Sequence, residues 1–188
     1  MFARPLRGRR DSGVGLEEVV AVRVAGSHLA FDLGAQRAIP HAEEKLSAMR
    51  RTIARRLTES KQQIPHIYLT VDVRLDALLA LRAELNAALA VRGIKLSVND
   101  IMIKALALAL IEVPQCNVAF AGDSLLRFAR ADISVAVSIP NGLITPVIAD
   151  AGSKSLSAIA VEMKTLGARA REGKLQPHEY QGGTASLS

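Results

Sequence analysis

KLSAMRRTIARRLTESKQQIPHIYLTVDV, residues 45–73, changes its period halfway along, and that change decides the fold class. Leu46, Met49, Ile53 and Leu57 recur at helical spacing while Arg50, Arg51, Arg55 and Arg56 fill the positions between them. This is the pattern of a basic amphipathic helix that ends near Gln63. Pro65 stops it, and the stretch from Ile67 to Val73 has the β-branched and aromatic content of a strand. A helix, a breaker and a strand in quick succession predict a mixed α/β domain.

Downstream the alternation continues. Asp76 is placed to cap a second helix, whose apolar positions are Leu78, Leu79, Leu81, Leu85 and Leu89, and Gly93 stands where a C-terminal glycine belongs. Ser97 and Asp100 form a capping-box-like S-x-x-D before Ile101 to Ile111, a run almost wholly apolar apart from Lys104 and so expected to be buried. Pro114 ends it. Strands are then expected from Asn117 to Phe120, Leu125 to Phe128, Ile133 to Ile139 and Leu143 to Ile148, the last two joined by the turn Pro140-Asn141-Gly142. A last helix, Ser155 to Arg171, presents Leu156, Ile159, Met163 and Leu166 on one face and stops at Gly173. Gln181-Gly182-Gly183-Thr184 opens a further strand at the chain's end, where the alternation of Ala185 to Ser188 suggests that more of the sheet is to come.

Upstream the signal fades. Residues 1–40 are rich in Gly and Arg without a sustained period, and read as a basic arm or linker in which Leu16 to Val24 is a short element of either kind. Residues 1–62 hold 12 basic against 7 acidic side chains, so most of the net charge of +6 is N-terminal. With 3% aromatic residues and no nucleic-acid motif, an acidic protein partner or plain solvation explains this charge better than nucleic acid does. The start has no apolar segment of the secretory kind, and no run reaches the roughly 20 apolar residues of a membrane span. Cys116 is the only cysteine; it reads as a small buried hydrophobe, and a reducing, cytoplasm-like compartment suits it.

Spacing alone names no active site. No H-E-x-x-H, G-x-S-x-G, phosphate loop or metal-spaced carboxylate cluster occurs. Of the four histidines, His28 and His41 fall in or beside the arm and read as solvated, and His178 falls in a surface turn between Leu175 and Tyr180. His66, between Pro65 and the expected strand, is either an ordinary solvated side chain or part of the lining of a substrate channel.

Several separated segments, in one order, resemble the catalytic domain of the dihydrolipoamide acyltransferases, the E2 components of 2-oxo acid dehydrogenase complexes. They are Lys45 to Lys61 with Ile64-Pro65-His66, Ser97-Val98-Asn99-Asp100 with Lys104-Ala105, Pro114 to Asn117, Ile133 to Val137, Asn141 to Ile148, and Gln181-Gly182-Gly183-Thr184. The resemblance covers residues 41–188. It implies a chloramphenicol acetyltransferase-like fold, a mixed sheet flanked by helices, in homotrimers that assemble into a larger core alongside the E1 and E3 components. It implies transfer of an acyl group between a dihydrolipoyl group, carried on a domain outside this chain, and coenzyme A, with no metal. Tyr68-Leu69-Thr70-Val71-Asp72 looks like the pyruvate type, so acetyl is the expected group, in bacterial cytoplasm or, in a eukaryote, the mitochondrial matrix.

The family's base is a histidine in a C-terminal His-x-x-x-Asp-Gly motif, which this sequence lacks. The expectation is therefore a domain cut short, inactive alone, with apolar side chains such as Val135 and Val147 poorly covered. The family's oxyanion-stabilising serine matches Ser188. Arg4-Pro5-Leu6, Arg9-Arg10 and Leu16-Glu17-Glu18-Val19 faintly resemble the peripheral-subunit-binding domain, in a degenerate form to which no binding role is assigned. Two alternatives stand beside this reading: a non-catalytic fragment acting in core assembly or protein interaction, and a free-standing acetyltransferase of the chloramphenicol type, which would need a terminal histidine of its own.

Overall fold

A computed structural model describes residues 40–140 and 142–188. The expectations for His28, for Leu16 to Val24 and for nearly all of the basic arm lie outside the described residues. The chain separates into two units, Met1–Glu44 and Lys45–Ser188, and the second holds every element described below.

Helix α1, Ala48–Gln63, starts at Ser47, whose hydroxyl accepts from the Arg50 amide, and gives way at Ile64 just before Pro65. Its apolar stripe meets the chain at Gly142, where an added Cβ would stand 2.8 Å from Met49 Sδ. Beyond it the structure departs from expectation: Ile67 to Val73 pairs with no strand, and Ile67, Leu69, Val71 and Val73 are 70–86% exposed. β-Propensity describes how side chains fit a pleated, half-buried surface, and without a neighbouring strand the segment gains nothing from it.

Helix α2, Asp76–Leu89, is capped by Leu75 without a side-chain hydrogen bond, so Asp76 serves in the first turn rather than as the cap. There its charge still faces the positive end of the helix dipole. A 3₁₀ turn follows at Ala90–Arg92, ended by Gly93 at φ +65°, a left-handed conformation that favours glycine. Helix α3, Val98–Glu112, carries the expected capping box: the Ser97 hydroxyl accepts from the Asp100 amide, and the Asp100 carboxylate accepts from the Ser97 amide at 2.7 Å. It is not buried all round. Ile103, Ala107 and Leu110 lie in the core, whereas Met102, Leu108 and Ile111 are exposed, because only one side of the helix meets α4 and the sheet. Cys116 corrects a second expectation, being exposed in the 3₁₀ turn Pro114–Cys116.

The strands are shorter than the sequence suggested. β1, Val118–Phe120, and β2, Leu125–Arg127, pair antiparallel. The expected long strand from Ile133 breaks at Ala136 into β3, Ile133–Val135, and β4, Val137–Ile139. Its partner likewise breaks at Thr145-Pro146 into β5, Gly142–Ile144, and β6, Val147–Ile148. β4 and β5 form the expected hairpin, with Ile139 opposite Gly142. Helix α4, Leu156–Arg171, begins at Ser155, and the 3₁₀ turn Pro177–Glu179 leads to β7, Ala185–Leu187.

The central sheet runs β6-β3-β7, antiparallel on one side of β3 and parallel on the other, which makes it mixed as expected. Its core joins Ile133, Val135 and Ile148 to Ile103, Ala107 and Leu110 of α3 and Ile159 and Leu166 of α4. Val135 is thus 3% exposed and not left uncovered; Val147 is half-buried. Removing each such large side chain from water contributes about 1.5–3 kcal/mol.

Candidate active site

The chemistry-bearing residues gather where β7 lies along β3. The backbone of Asp132 meets Thr184 twice: the Thr184 amide donates to Asp132 O at 2.7 Å, and the Thr184 hydroxyl accepts from the Asp132 amide at 3.1 Å. The pairing then runs Ile133 to Ala185, Ser134 to Ser186 and Val135 to Leu187, and closes with the Ala136 amide donating to Leu187 O at 2.9 Å. Ser188, exposed, follows directly.

The Asp132 side chain fixes the other side of this junction. Its carboxylate takes Arg130 in two contacts, Nε to Oδ1 at 2.9 Å and Nη2 to Oδ2 at 3.0 Å, and accepts from the Asp150 amide at 2.7 Å. Hydrogen bonding to Asp132, backed by its charge, holds the Arg130 guanidinium above its ordinary pKa. Asp150 sits at φ +44°, in the left-handed region a carboxamide or carboxylate residue tolerates better than most. One turn further, Lys104 Nζ on α3 donates to Gly152 O and Lys154 O, which fastens that loop to the helix.

Gly183 explains part of the glycine pair in the sequence. A Cβ there would stand 1.9 Å from Ser134 Oγ and 3.3 Å from Ser134 N, so only glycine lets the approach to β7 pass this close to β3. Gly182, at φ +93°, makes the preceding bend.

Of the described histidines in this unit, neither His66 nor His178 hydrogen-bonds to this junction. His66 is exposed, and its partners lie within two residues of it: Nδ1 is 2.6 Å from Ile64 O, and the ring stacks on Tyr68 with centroids 6.4 Å apart. A carbonyl only accepts, so in this contact Nδ1 is the donor. Lys61 Nζ lies 4.5 Å above the same Tyr68 ring. His41 is exposed, and His178 is exposed in the 3₁₀ turn before Tyr180, as its sequence context suggested.

A separate cleft of about 870 Å³ opens between the α3 N-terminus, α4 and the β3–β4 strands, with Val135 and Val137 on its apolar side and Arg92, Lys95, Lys164 and Arg171 around it. Among the described residues no group of three or more His, Cys, Asp or Glu side chains is placed to hold a metal ion, and no helix is long and apolar enough to cross a membrane. Sequence reasoning misses Asp132 and Asp150, and meets Ser134 only as part of the Ile133 to Val137 segment. The one signal was a carboxylate at the head of an apolar strand run, and its partners lie 18 and 52 residues away.

Residues 39–188 match the family of 2-oxoacid dehydrogenases acyltransferase, catalytic domain. A similar protein in Zymomonas mobilis, the dihydrolipoyllysine-residue acetyltransferase component of its pyruvate dehydrogenase complex, is 69% identical over 149 residues, which is 79% of this chain and 34% of the relative. The component of the same name in Rhizobium meliloti is 55% identical over 162 residues, 84% of this chain and 35% of the relative. The chain thus spans about a third of the length of these relatives. The crystal structure of a probable dihydrolipoamide acetyltransferase from Listeria monocytogenes superposes with TM-score 0.72 at 35% identity, over 78% of this chain and 63% of that one. The Azotobacter vinelandii dihydrolipoamide acetyltransferase, in which a serine, a histidine and an asparagine were investigated for their role in catalysis, superposes with TM-score 0.74 at 30% identity, over 78% of this chain and 61% of that one. By sequence and by backbone alike, the chain belongs to the 2-oxoacid dehydrogenases acyltransferase family, matching its catalytic domain.

Proposed function

We propose that this chain is part of an acyltransferase that moves an acetyl group between dihydrolipoamide and coenzyme A within a pyruvate dehydrogenase-type complex. The 69% identity with the Zymomonas mobilis acetyltransferase component carries this reading. In the reaction a base removes the proton of one thiol, since a free thiol with pKa about 8.5 is mostly protonated at neutral pH. The thiolate adds to the thioester carbonyl, the tetrahedral oxyanion accepts a hydrogen bond from Ser188, and collapse expels the other sulfur as a thiolate that takes up a proton.

The dihydrolipoyl group arrives on another domain. His66 lines the approach to the site, and the base is the histidine of the family's His-x-x-x-Asp-Gly motif. We assign residues 41–188 to the catalytic domain and 1–40 to a basic arm. Homotrimers assemble into a larger core and work with E1 and E3 components in bacterial cytoplasm or the mitochondrial matrix; a similar solved structure described as the cubic core of a pyruvate dehydrogenase multienzyme complex supports the assembly into a core.

A second reading is a non-catalytic assembly or interaction module; these 188 residues, about a third of the length of the relatives, do not include a His-x-x-x-Asp-Gly motif. One assay separates the two. The 188-residue chain is expected to show no acetyl transfer from acetyl-CoA to dihydrolipoamide, and the same chain continued by a family C-terminal segment carrying the motif is expected to turn over. Ser188→Ala in the continued chain should then lower kcat by about 10²–10³. A continued chain that folds but transfers nothing overturns the enzymatic reading; turnover by the short chain that is lost in His66→Ala would make His66 the base instead.

A further inference from the structure

Resting on the reading of Ser188 as oxyanion donor, we propose that Thr184 is a positioning residue for it: the Thr184 hydroxyl, clamped to the Asp132 backbone, sets the register of β7 and so the height at which Ser188 stands.

A parallel strand at the edge of a sheet is the element most in need of such a device. β7 has β3 on one side only and just three paired residues, and a slip of one position would turn every side chain to the opposite face. Ala185 and Leu187 pack toward the core, whereas Thr184, Ser186 and Ser188 belong to the other alternation. A one-residue slip would therefore bury Ser188's position and expose Leu187's.

Three contacts oppose the slip, all upstream of Ser188. Thr184 closes a two-way pair with the Asp132 backbone, its amide donating and its hydroxyl accepting, and the same hydroxyl lies 3.3 Å from Asp132 O. Asp132 cannot follow a moving β7, because its carboxylate is fixed by the Asp150 amide and Arg130. Gly183 passes so near Ser134 that a Cβ there would stand 3.3 Å from the Ser134 amide nitrogen, which leaves the approach to β7 little room to shift toward β3. Thr184 is the only one of these whose side chain belongs to β7's own approach and reaches across to β3. Three residues separate it from Ser188, so an error made at Thr184 is carried along the strand. A displacement of about 1 Å at a reacting group costs on the order of 100-fold in rate.

The test uses Thr184→Val, which keeps the shape and removes the hydroxyl, beside Thr184→Ser, which keeps the hydroxyl. In the 188-residue chain, hydrogen exchange at the Ala136 amide, which donates to Leu187 O, reports the register directly and does not depend on activity. Exchange there should quicken by at least 10-fold in Thr184→Val and stay near the parent rate in Thr184→Ser. In the continued chain, Thr184→Val should lower kcat by about 100-fold with KM for coenzyme A within a factor of two or three, and Thr184→Ser should restore most of it. Unchanged exchange with reduced kcat would overturn the clamp and make Thr184 act directly. Equal loss in Thr184→Ser would overturn the role of the hydroxyl, and parent-like behaviour of Thr184→Val in both measurements would overturn the proposal outright. If the continued parent chain is inactive, the acyltransferase reading fails while the exchange measurement still decides the clamp.

Discussion

Asn117 shows how much one buried amide controls. It is 1% exposed, and its Nδ2 donates to Phe128 O at 3.2 Å and Arg130 O at 3.0 Å, tying the start of β1 to the chain that enters β3. Two facing carbonyls fix the amide's orientation, since a flip would set oxygen against oxygen. Asn117→Ala is expected to leave both carbonyls without this donor and to cost about 1–3 kcal/mol. Asn117→Asp should cost more at neutral pH, because a carboxylate would face those carbonyls, and burial would raise its pKa. That variant should regain stability on acidification, since a raised folded-state pKa means stability is present below it and lost as pH rises. Urea denaturation of the two variants at pH 5 and pH 8 checks both the order and the sign. In the sequence Asn117 stands in a short motif beside Pro114 and at the start of an expected strand; its importance depends on carbonyls 11 and 13 residues away, which no local pattern displays.

At the scale of elements, local chemistry was legible and pairing was not. The Ser97–Asp100 box, the Gly93 stop and the β4–β5 hairpin all follow from residues within five positions of one another, so the sequence displays them whole. The Ile67 to Val73 segment carries the same strand-forming residues as β3, yet only β3 finds partners, and partners are a property of the whole sheet. The turn after α4 is a local device that the sequence hid. Glu179 accepts from the Gln176 amide at 2.7 Å and pairs with both terminal nitrogens of Arg169, folding Pro177–Glu179 back onto the helix. The Gln176 amide first, then Arg169, holds the Glu179 carboxyl below its ordinary range. A lowered folded-state pKa contributes stability above the unfolded value that is lost as pH falls through the folded one, so this turn should loosen in acid. Following the Gln176 amide resonance from pH 7 downward should show that loss, with a midpoint below that of an ordinary glutamate, and Glu179→Gln should remove the transition.

For the whole molecule, the decisive quantity is where apolar surface stays in contact with water. The expected weak points, Val135 and Val147, are covered or half-covered by the α3–α4 core. The exposed apolar side chains instead concentrate earlier, at Leu46 and Leu57 of the α1 region and at Ile67, Leu69, Val71 and Val73, each more than half exposed. The run from Ile67 to Val73, without strand pairing, combines an apolar patch with unpaired backbone hydrogen-bonding groups, the two features that promote association between chains. The 188-residue chain is therefore expected to self-associate at micromolar concentration. Because Leu69 and Val71 pack against so little, Leu69→Lys with Val71→Glu should leave the thermal midpoint within a degree or two while lowering the light-scattering mass toward 20.1 kDa. Scattering at the monomer mass from the parent chain would show that this surface is covered in solution, and a large drop in thermal midpoint for the double variant would show that the segment belongs to the folded core.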